Sequence, residues 1–576
     1  MAKSDARFGY QANLNRESHD LGAPFTFTCA PGMLLPIFKD IASPGDAYYI
    51  KHNLVFLRTL PLAQPAMIDV KVHFESFFVP LQMLYAPFED SFFSMKTLQS
   101  SQFNFDYLQN NNLPLYNFSY EVGRIKGQYD HSVKHSEAFR LCDMLGLGAD
   151  NLCGDSSTPS RFSYAPSFFP WQILAYHCIF QYFYRLDDKT DFQHNFNYDD
   201  QYNQSAASQN LILSIHQRAW NFDYFTSIYR SPIVSDASMQ FLHGNDVNDL
   251  MLSYTEPLKH GGGIESSTNS LITAFGADGG TSFNQLTFQA NVSTANIRQM
   301  FANEKLAMVS GRTRKTYDSQ VLAHFGVKVP HDPKHDIALI GSDTYPIHIG
   351  EVTSLASTTD SPLGDLAGKG WAQGKGNTHK FVAPCHGVIM TIFSVEPLKR
   401  YYGGFDRINA ISNIFDLPIP EYDRLGNVPM FRYEVGEATI NPMSWTDIIG
   451  WKERYYQYKR RPARVSLAFQ NGLRYQGTNN YSAYTIATPP FGIVSNTATA
   501  RPDLESRFYI DRGALDSVML VPFIDEWQNG SGSHDTENWN QSPWLAYARD
   551  PFIVDSNLDI KKVSWLSKDG EPIYNF

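Results

Sequence analysis

The run of residues 260–263 is the first place in this sequence where enzyme chemistry can be considered. His260 is followed directly by Gly261, Gly262 and Gly263, and such a run can supply the oxyanion hole of an esterase. That enzyme also needs a nucleophilic serine in a Gly-x-Ser-x-Gly turn, and the chain has no such motif. We therefore expect a loop at these residues and no catalytic function.

Two further patterns lack the spacing that their chemistry requires. The stretch 364–376 has the composition of a phosphate-binding loop, but it contains neither Gly-x-x-x-x-Gly-Lys-Ser/Thr nor Gly-x-Gly-x-x-Gly. His331 and His335 lie four residues apart, as two zinc ligands on one helix would. Pro333 between them would break that helix. The sequence thus predicts no metal site, no cofactor and no enzymatic activity.

Candidate residues for contact with nucleic acid lie between residues 451 and 464. Aromatic side chains are interleaved there with cationic ones, so that rings can stack on bases while the cations neutralise the phosphates of a single strand. Arginine and tyrosine are also favoured in contacts between protein subunits, and both interpretations stay open. The candidates are Trp451, Arg454, Tyr455, Tyr458, Lys459, Arg460, Arg461 and Arg464.

The net charge restricts any such contact to a local patch. The 576 residues carry a formal charge of −11 at pH 7, whereas a protein that binds nucleic acid through its overall field is basic. Any contact with nucleic acid must therefore be a local patch, or a separate basic partner must neutralise most of the nucleic acid.

Composition indicates a folded, contact-rich protein. Hydrophobic residues make up 43% of the chain, charged residues 18% and aromatic residues 14%, which excludes a disordered chain and suits broad strand surfaces. The five cysteines are scattered without a Cys-x-x-Cys pair, as expected in a reducing compartment. We find no signal-peptide core and no apolar run long enough to span a membrane, so we expect synthesis in the cytosol.

Residues 67–79 carry the clearest secondary-structure signal. Apolar and polar residues alternate there, which is the pattern of a strand with one buried face. Further strands are predicted at 48–60, 345–355, 380–395, 508–524 and 552–563, and helices at 168–185 and 293–311. Strands dispersed among long loops suggest one β-sandwich or jelly roll with large insertions. One insertion is expected at 231–290, which is rich in Gly, Ser, Thr and Asn.

Several segments together resemble one known family. They are FTFTCAPGMLLPIF, SPGD and FFVPLQMLYAPFE near the start, then FPWQILAYHCIFQYFYR, WNFDYFTS, ANIRQMFANEKLAMVSGRTRKTY, KERYYQYKRRPARVSLAF and ARDPFIVDSNLDIKKV. In this order they are similar to the blocks of microvirus major capsid proteins, and their spacing is similar to that of the gokushovirus-like branch. The blocks extend from about residue 22 to residue 570.

This resemblance implies a mainly β fold, a single eight-stranded antiparallel jelly-roll barrel with long loop insertions and a few short helices. It further implies an N-terminal arm at 1–20, a capsid domain in two parts at 21–230 and 291–576, and a variable surface insertion at 231–290. Sixty copies would form a T = 1 shell, through pentamer intermediates, around circular single-stranded DNA.

The same resemblance implies the partners of the protein and its location. The partners are a small basic DNA-packaging protein, a minor spike or pilot protein and a host surface receptor. The insertion with His260, Gly261, Gly262 and Gly263 would face that receptor. The protein would be made in the host bacterial cytoplasm and reside in the virion.

Two other classes of protein share some of these features. A jelly-roll glycan-binding protein would have a similar fold, acidity and aromatic content, but would form small oligomers. A secreted polysaccharide-degrading enzyme would need a signal peptide and a pair of carboxylates in a cleft.

Overall fold

A computed structural model describes the following residues: 16–59, 69–85, 137–147, 170–186, 215–229, 302–303, 305–306, 309–310, 313, 317–328, 332–353, 366–398, 401, 405–423, 426–434, 448–464, 509–510 and 550–566. The chain divides into two compact units, one formed by residues 1–230 and 329–576 and the other by residues 231–328. All strands named below belong to the first unit.

The strands in the described residues are β1 (Glu17–Asp20), β2 (Ala23–Cys29), β3 (Leu35–Ala42), β4 (Ala47–Thr59), β5 (Val70–Pro80), β6 (Ala338–Thr353), β7 (Leu366–Val382), β8 (Gly387–Pro397), β9 (Asn427–Phe431), β10 (Ile448–Glu453) and β11 (Phe552–Ser564). The α-helices are α1 (Leu81–Leu84), α2 (Glu137–Met144), α3 (Trp171–Ile179), α4 (Tyr317–Phe325) and α5 (Tyr456–Lys459). A π-helical turn, Phe180–Tyr184, continues α3.

Eight of these strands form two antiparallel four-stranded sheets. One has the order β2–β11–β4–β7 and the other β3–β8–β5–β6. The short β1 extends the first sheet beside the far end of β11. This order, with successive strands passing between two sheets, is that of a jelly roll. The predicted mainly β, antiparallel jelly-roll fold with a few short helices is confirmed.

The two sheets are joined through β6. Residues 338–347 of β6 pair with β5, and residues 348–353 pair with β7 in the other sheet. Aromatic side chains fill the space between the sheets. Phe27 of β2 meets Phe393 of β8 edge-on, with ring centroids 5.0 Å apart. The rings of Phe74 on β5 and His52 on β4 are stacked, with centroids 5.7 Å apart. The core therefore lies between the two sheets, as in other sandwiches.

The burial of β5 follows its sequence pattern. Val70, Val72 and Phe74 are buried, while Lys71 is exposed. From Phe77 onward every residue of the strand is buried, because α3 packs on the outer face of β5 and β8. The predicted strands at 48–60, 67–79 and 552–563 and the helix at 168–185 are confirmed with small changes of boundary.

The prediction of one strand at 380–395 was wrong. The region contains the end of β7, a bend at residues 383–386 and then β8. Pro384 in the bend has no backbone N–H to donate, which ends the ladder. The glycine-rich stretch 364–376, which we did not assign to a strand, lies largely in β7.

Other predictions fall partly or wholly outside the described residues. The predicted strand 508–524 is described only at Tyr509 and Ile510, and the insertion 231–290 not at all. Six residues described between 302 and 310 are helical, as predicted. Among the described residues, Cys29, Cys142, Cys178 and Cys385 are not joined in disulfides. Within the described part of the chain, no helix has the length and apolar character needed to cross a membrane.

Candidate nucleic-acid interface

The candidate segment 451–464 begins on an antiparallel hairpin of β9 and β10. Trp451 of β10 lies opposite Pro429 of β9. On its other side Trp451 exchanges two backbone hydrogen bonds with Tyr229, at N···O distances of 2.8 and 2.9 Å. The hairpin is therefore held to the preceding part of the chain by its backbone, and the half-buried Trp451 is a fixed part of this surface.

The carboxylate of Glu434 is the centre of a buried polar cluster below the hairpin. It is 2% exposed and accepts hydrogen bonds from the hydroxyls of Tyr456, at 2.5 Å, and Tyr224, at 3.2 Å. Arg407 also donates to it at 3.2 Å. Burial, together with this carboxylate, raises the pKa of Tyr456 above its ordinary range. Tyr456 is thus a neutral hydrogen-bond donor at any working pH.

Lys452 is a buried cation between aromatic rings. It is 4% exposed, and its Nζ lies 5.2 Å from the ring centroid of Tyr224 and 5.5 Å from that of Tyr456. It donates to the hydroxyl of Ser227 at 2.6 Å. Cation–π contacts are strengthened when the cation is desolvated. Lys452 consequently stabilises the base of the hairpin and is not available to a phosphate.

The motif Trp220–Ser227 forms a turn that supports this cluster. One oxygen of Asp223 accepts hydrogen bonds from the backbone N–H groups of Phe225 and Thr226, at 2.9 and 2.8 Å. The other accepts from the hydroxyl of Tyr401 at 2.6 Å. The turn directs the Tyr224 ring toward Tyr456, with ring centroids 5.2 Å apart. The motif therefore has a local structural role beneath the hairpin.

Tyr455 makes a sharp turn between β10 and α5. Its backbone has φ of +61°, the only positive value for a non-glycine residue in the described chain, and such a conformation is unfavourable for a bulky residue. The ring is 5% exposed and its hydroxyl donates to the carbonyl of Phe415 at 3.2 Å. Tyr458 donates similarly to the carbonyl of Asp416. These contacts fix both tyrosines on residues 415–416.

The candidate cations differ in the partners they have within the chain. Lys459 is paired with Asp423 at 2.5 Å, and Arg464 with Asp406 at 2.6 Å. Arg454 lies over the rings of Tyr422 and Tyr455. Arg460 and Arg461 are exposed, and the structure gives neither an ion pair with any described residue.

All eight predicted residues therefore lie on one continuous segment of the chain, and nucleic-acid contact stays a prediction for them. The exposed charge that such a contact would use is on Arg460 and Arg461. The ring of Tyr455 is buried and cannot stack on a base in this conformation. Residues 260–263, predicted to face a receptor, lie outside the described residues.

Sequence reasoning missed the supporting residues of this region, namely the buried Lys452 and Glu434 and the half-buried Arg407 and Asp223. A lysine within a basic stretch is normally exposed. The signal for Lys452 was the alternation of β10, which places it on the face opposite Trp451 and Glu453. The partners of Glu434 come from three separate parts of the chain, and no local pattern marks them.

Comparison with known proteins gives a family for this chain. The family model described as "Capsid protein (F protein)" matches residues 10–111 and 168–531. These ranges include β1 through β10 of the fold and the whole candidate segment.

Two individual proteins are similar over shorter regions. "Capsid protein VP1" of Chlamydia phage 1 is 23% identical over 247 residues, which are 41% of this chain and 39% of that protein. "Capsid protein VP1" of Bdellovibrio phage phiMH2K is 25% identical over 193 residues, which are 32% of this chain and 35% of that protein. The aligned regions thus span little more than a third of each relative's length.

Proposed function

The chain belongs to the capsid protein (F protein) family, and from this membership we propose that sixty copies assemble into a T = 1 icosahedral shell around a circular single-stranded DNA genome. The observation that carries the proposal is the match of the family model to most of the chain. The resemblance to microvirus major capsid proteins, noted from the sequence alone, agrees with it.

Exposed apolar side chains beside the candidate interface support assembly. Phe405, Ile414 and Phe415 are 49%, 68% and 47% exposed, and they lie within twelve residues of one another. Large exposed apolar patches commonly mark protein–protein contacts, and we infer that these side chains belong to such a patch. We place a contact with a neighbouring subunit on this surface, residues 405–417.

The strand edges of the jelly roll support the same conclusion. β3 is at one end of its sheet, and β2 is at one end of the other. An edge strand has unpaired backbone donors and acceptors, which invite contact with another chain. Neighbouring subunits or loops of the shell would cover these edges.

Assembly can be tested on the full chain expressed in bacteria. Size-exclusion chromatography with light scattering and negative-stain imaging should reveal closed particles, of about 3.9 MDa for sixty chains of 65.3 kDa, or pentamers as intermediates. Ile414→Asp should prevent closure while the subunit stays folded, and Ile414→Val should assemble normally. A product that remains a small oligomer under all assembly conditions, in the presence of the other virion proteins, would instead favour a glycan-binding protein.

Genome packaging would require a further component. At −11 the chain cannot neutralise a genome, so a small basic DNA-packaging protein would provide most of the positive charge. Arg460 and Arg461 would make local contacts with the DNA. A minor spike or pilot protein would complete the virion, in which this protein resides after synthesis in the host cytoplasm.

The insertion at 231–290 would contact the host receptor through residues such as His260 and Gly261–Gly263. Loops on a rigid scaffold tolerate sequence change and commonly carry recognition. Deletion of residues 240–285, with a short Gly/Ser linker across the gap, should give particles that assemble but adsorb poorly to host cells. Normal adsorption would remove the receptor role, and failure to assemble would make the segment a structural part of the shell.

A further inference from the structure

Three metal-ligating side chains meet between the sheets of the jelly roll. One carboxylate oxygen of Asp343, on β6, lies 2.7 Å from Nδ1 of His52 on β4 and 2.9 Å from Nε2 of His379 on β7. The candidate ligand atoms of the three residues all lie within 4.8 Å of one another. His52 is fully buried, and Asp343 is 9% exposed. The group is far from the candidate nucleic-acid interface in sequence and contains none of its residues.

Residues around the group fix its members in place. Nε2 of His52 is 2.7 Å from the hydroxyl of Ser76, which is 2.8 Å from that of Thr391. The hydroxyl of Tyr345 donates to the backbone carbonyl of His52 at 2.7 Å. Metal-binding histidines generally have their second ring nitrogen bound to such a partner, which sets the orientation and tautomer of the ring.

Glycines on β6 and β7 leave room for the group. A Cβ at Gly341 would lie 2.2 Å from the ring of His379, and a Cβ at Gly376 would lie 2.7 Å from Oδ2 of Asp343. Neither glycine can be replaced by a residue with a side chain unless His379 or Asp343 moves. The glycine-rich composition of β7, which suggested a phosphate loop in the sequence, is explained in part by the space that this group occupies.

We propose that His52, Asp343 and His379 bind one divalent transition-metal ion, with the chemistry of the donor set favouring Zn²⁺. Two imidazole nitrogens and a carboxylate oxygen are donors that Zn²⁺ accepts in tetrahedral sites, and a water molecule would supply the fourth ligand. Zinc–ligand distances near 2.0–2.1 Å place tetrahedral donors about 3.3 Å apart. To reach this spacing the two contacts of Asp343 must lengthen from the present 2.7 and 2.9 Å, and the two imidazole nitrogens, now within 4.8 Å of each other, must also come to about 3.3 Å.

The ion can bind to two neutral imidazoles and one carboxylate, so its binding need not release or take up a proton. When His52 ligates through Nδ1, its single imidazole proton is on Nε2 and donates to the hydroxyl oxygen of Ser76. That hydroxyl in turn donates to Thr391. His379 ligates through Nε2 and has its proton on Nδ1. Asp343 binds as the carboxylate. Two neutral imidazoles and one carboxylate leave a site of net charge +1 after the ion enters.

The ion would connect three strands. β4 and β7 belong to one sheet, and β6 is the strand that joins the two sheets. His379 is the most accessible of the three proposed ligands, with 19% of its side chain exposed. An ion would therefore enter the group from the side of His379. A ligand that binds only the folded state raises the unfolding temperature.

The test uses the full-length protein, without a histidine tag, as unassembled subunits stripped with EDTA. Titration with Zn²⁺ should show one ion per chain by calorimetry and by elemental analysis after gel filtration. Co²⁺, as a probe, should give the intense visible absorption of a tetrahedral site. The unfolding temperature should rise with either metal. Because the measurements need no shell, their result is independent of the proposed capsid assembly.

Variants of the group and a matched surface pair complete the test. Asp343→Asn and His379→Gln should each weaken Zn²⁺ binding at least 100-fold. His335 and Asp332 form an exposed pair at the same 2.7 Å, and His335→Gln should leave the affinity unchanged. If Asp343→Asn fails to fold, the Zn²⁺ affinity of His379→Gln alone tests the proposal. The proposal would be overturned if the wild type and His379→Gln bound Zn²⁺ equally well. Loss of binding in His335→Gln, or binding of less than one ion per ten chains by the wild type, would also overturn it.

Discussion

Arg218 donates from Nη1 to a carboxylate oxygen of Glu75 at 2.9 Å, on the outer face of the sheet that contains β5 and β8. The same nitrogen donates to the hydroxyl of Ser394 at 3.0 Å, and Nε lies 3.9 Å from Glu396. The hydroxyl of Tyr184 donates to Glu75 as well. Arg218 is thus the cation that two carboxylates of the sheet share.

Removal of this cation should destabilise the subunit strongly. Arg218→Met leaves Glu75, whose side chain is 18% exposed, without its charge partner. It also removes the guanidinium beside Glu396, whose side chain is 5% exposed and which keeps only its 2.9 Å contact with His73. Breaking a buried pair by removing one partner costs about 3 kcal/mol or more. Urea unfolding of unassembled subunits, followed by far-UV circular dichroism, measures the change. Arg460→Met, at an exposed position, is the control, and a loss below about 1 kcal/mol at Arg218 would contradict the expectation.

His216 should make stability depend on pH below neutrality. Its ring is buried and stacks on Phe180, with ring centroids 3.8 Å apart. Burial, and secondarily the neighbouring His177, lowers the pKa of His216 well below 6.5. Between that folded pKa and 6.5 the unfolded chain binds the additional proton, so stability present above pH 6.5 is lost as the pH falls.

The His216→Gln variant isolates this contribution. The unfolding free energy of the wild type should fall more steeply than that of the variant below pH 6.5, by up to about 1.4 kcal/mol per pH unit. Above about pH 7.5 the two curves should run parallel, because the imidazole is neutral in both states there. Curves that run parallel across the whole range would show that His216 retains its ordinary pKa in the fold.

Gly374 of β7 should not accept a side chain. A Cβ there would lie 2.1 Å from the ring of Tyr345, and forcing such a contact costs about 1–3 kcal/mol. Gly350 of β6 provides a matched control, because a Cβ there meets no atom within 4 Å. Thermal unfolding should therefore show a clear loss for Gly374→Ala and none for Gly350→Ala. Equal transitions would mean that Tyr345 moves aside freely.

The exposed arginines should determine the salt dependence of DNA binding. If Arg460 and Arg461 each neutralise a phosphate, their double substitution by Ala should reduce the slope of log affinity against log salt by about 1.4 for a single strand. Lys459→Ala is the control, since Asp423 already neutralises that cation. Fluorescence anisotropy with a labelled oligodeoxythymidine measures both. If Lys459→Ala changed the slope more than the double variant did, or if the double variant left the slope unchanged, Arg460 and Arg461 would not be the phosphate contacts.

The strands with a local pattern were predictable from the sequence. The alternation along residues 70–75 and along Phe552–Ser564 reflects one buried and one more exposed face, and the burial of β11 follows it residue by residue. The same reasoning failed at 380–395, where β8 is buried on both faces and has no alternation to separate it from the end of β7. Only the bend at Pro384 divides them.

The candidate site was predictable in position but not in detail. The basic and aromatic residues of 451–464 are adjacent in sequence, so their concentration was visible. Their partners were not, because Asp406 and Asp423 come from a preceding segment that the fold brings back beside them. The His52–Asp343–His379 group is a stronger case. His52 and Asp343 are 291 residues apart, and only the folding of β4 and β6 into one jelly roll places them together.

The position of β11 has a consequence for biosynthesis. Among the described strands it is the last to leave the ribosome, yet it lies between β2 and β4, which are among the first. Until residues 552–564 emerge, both of those strands expose an open backbone edge to other chains. Nascent chains on one polysome are then at risk of pairing with each other, and a chaperone that shields the early strands during translation would raise the yield of native subunits.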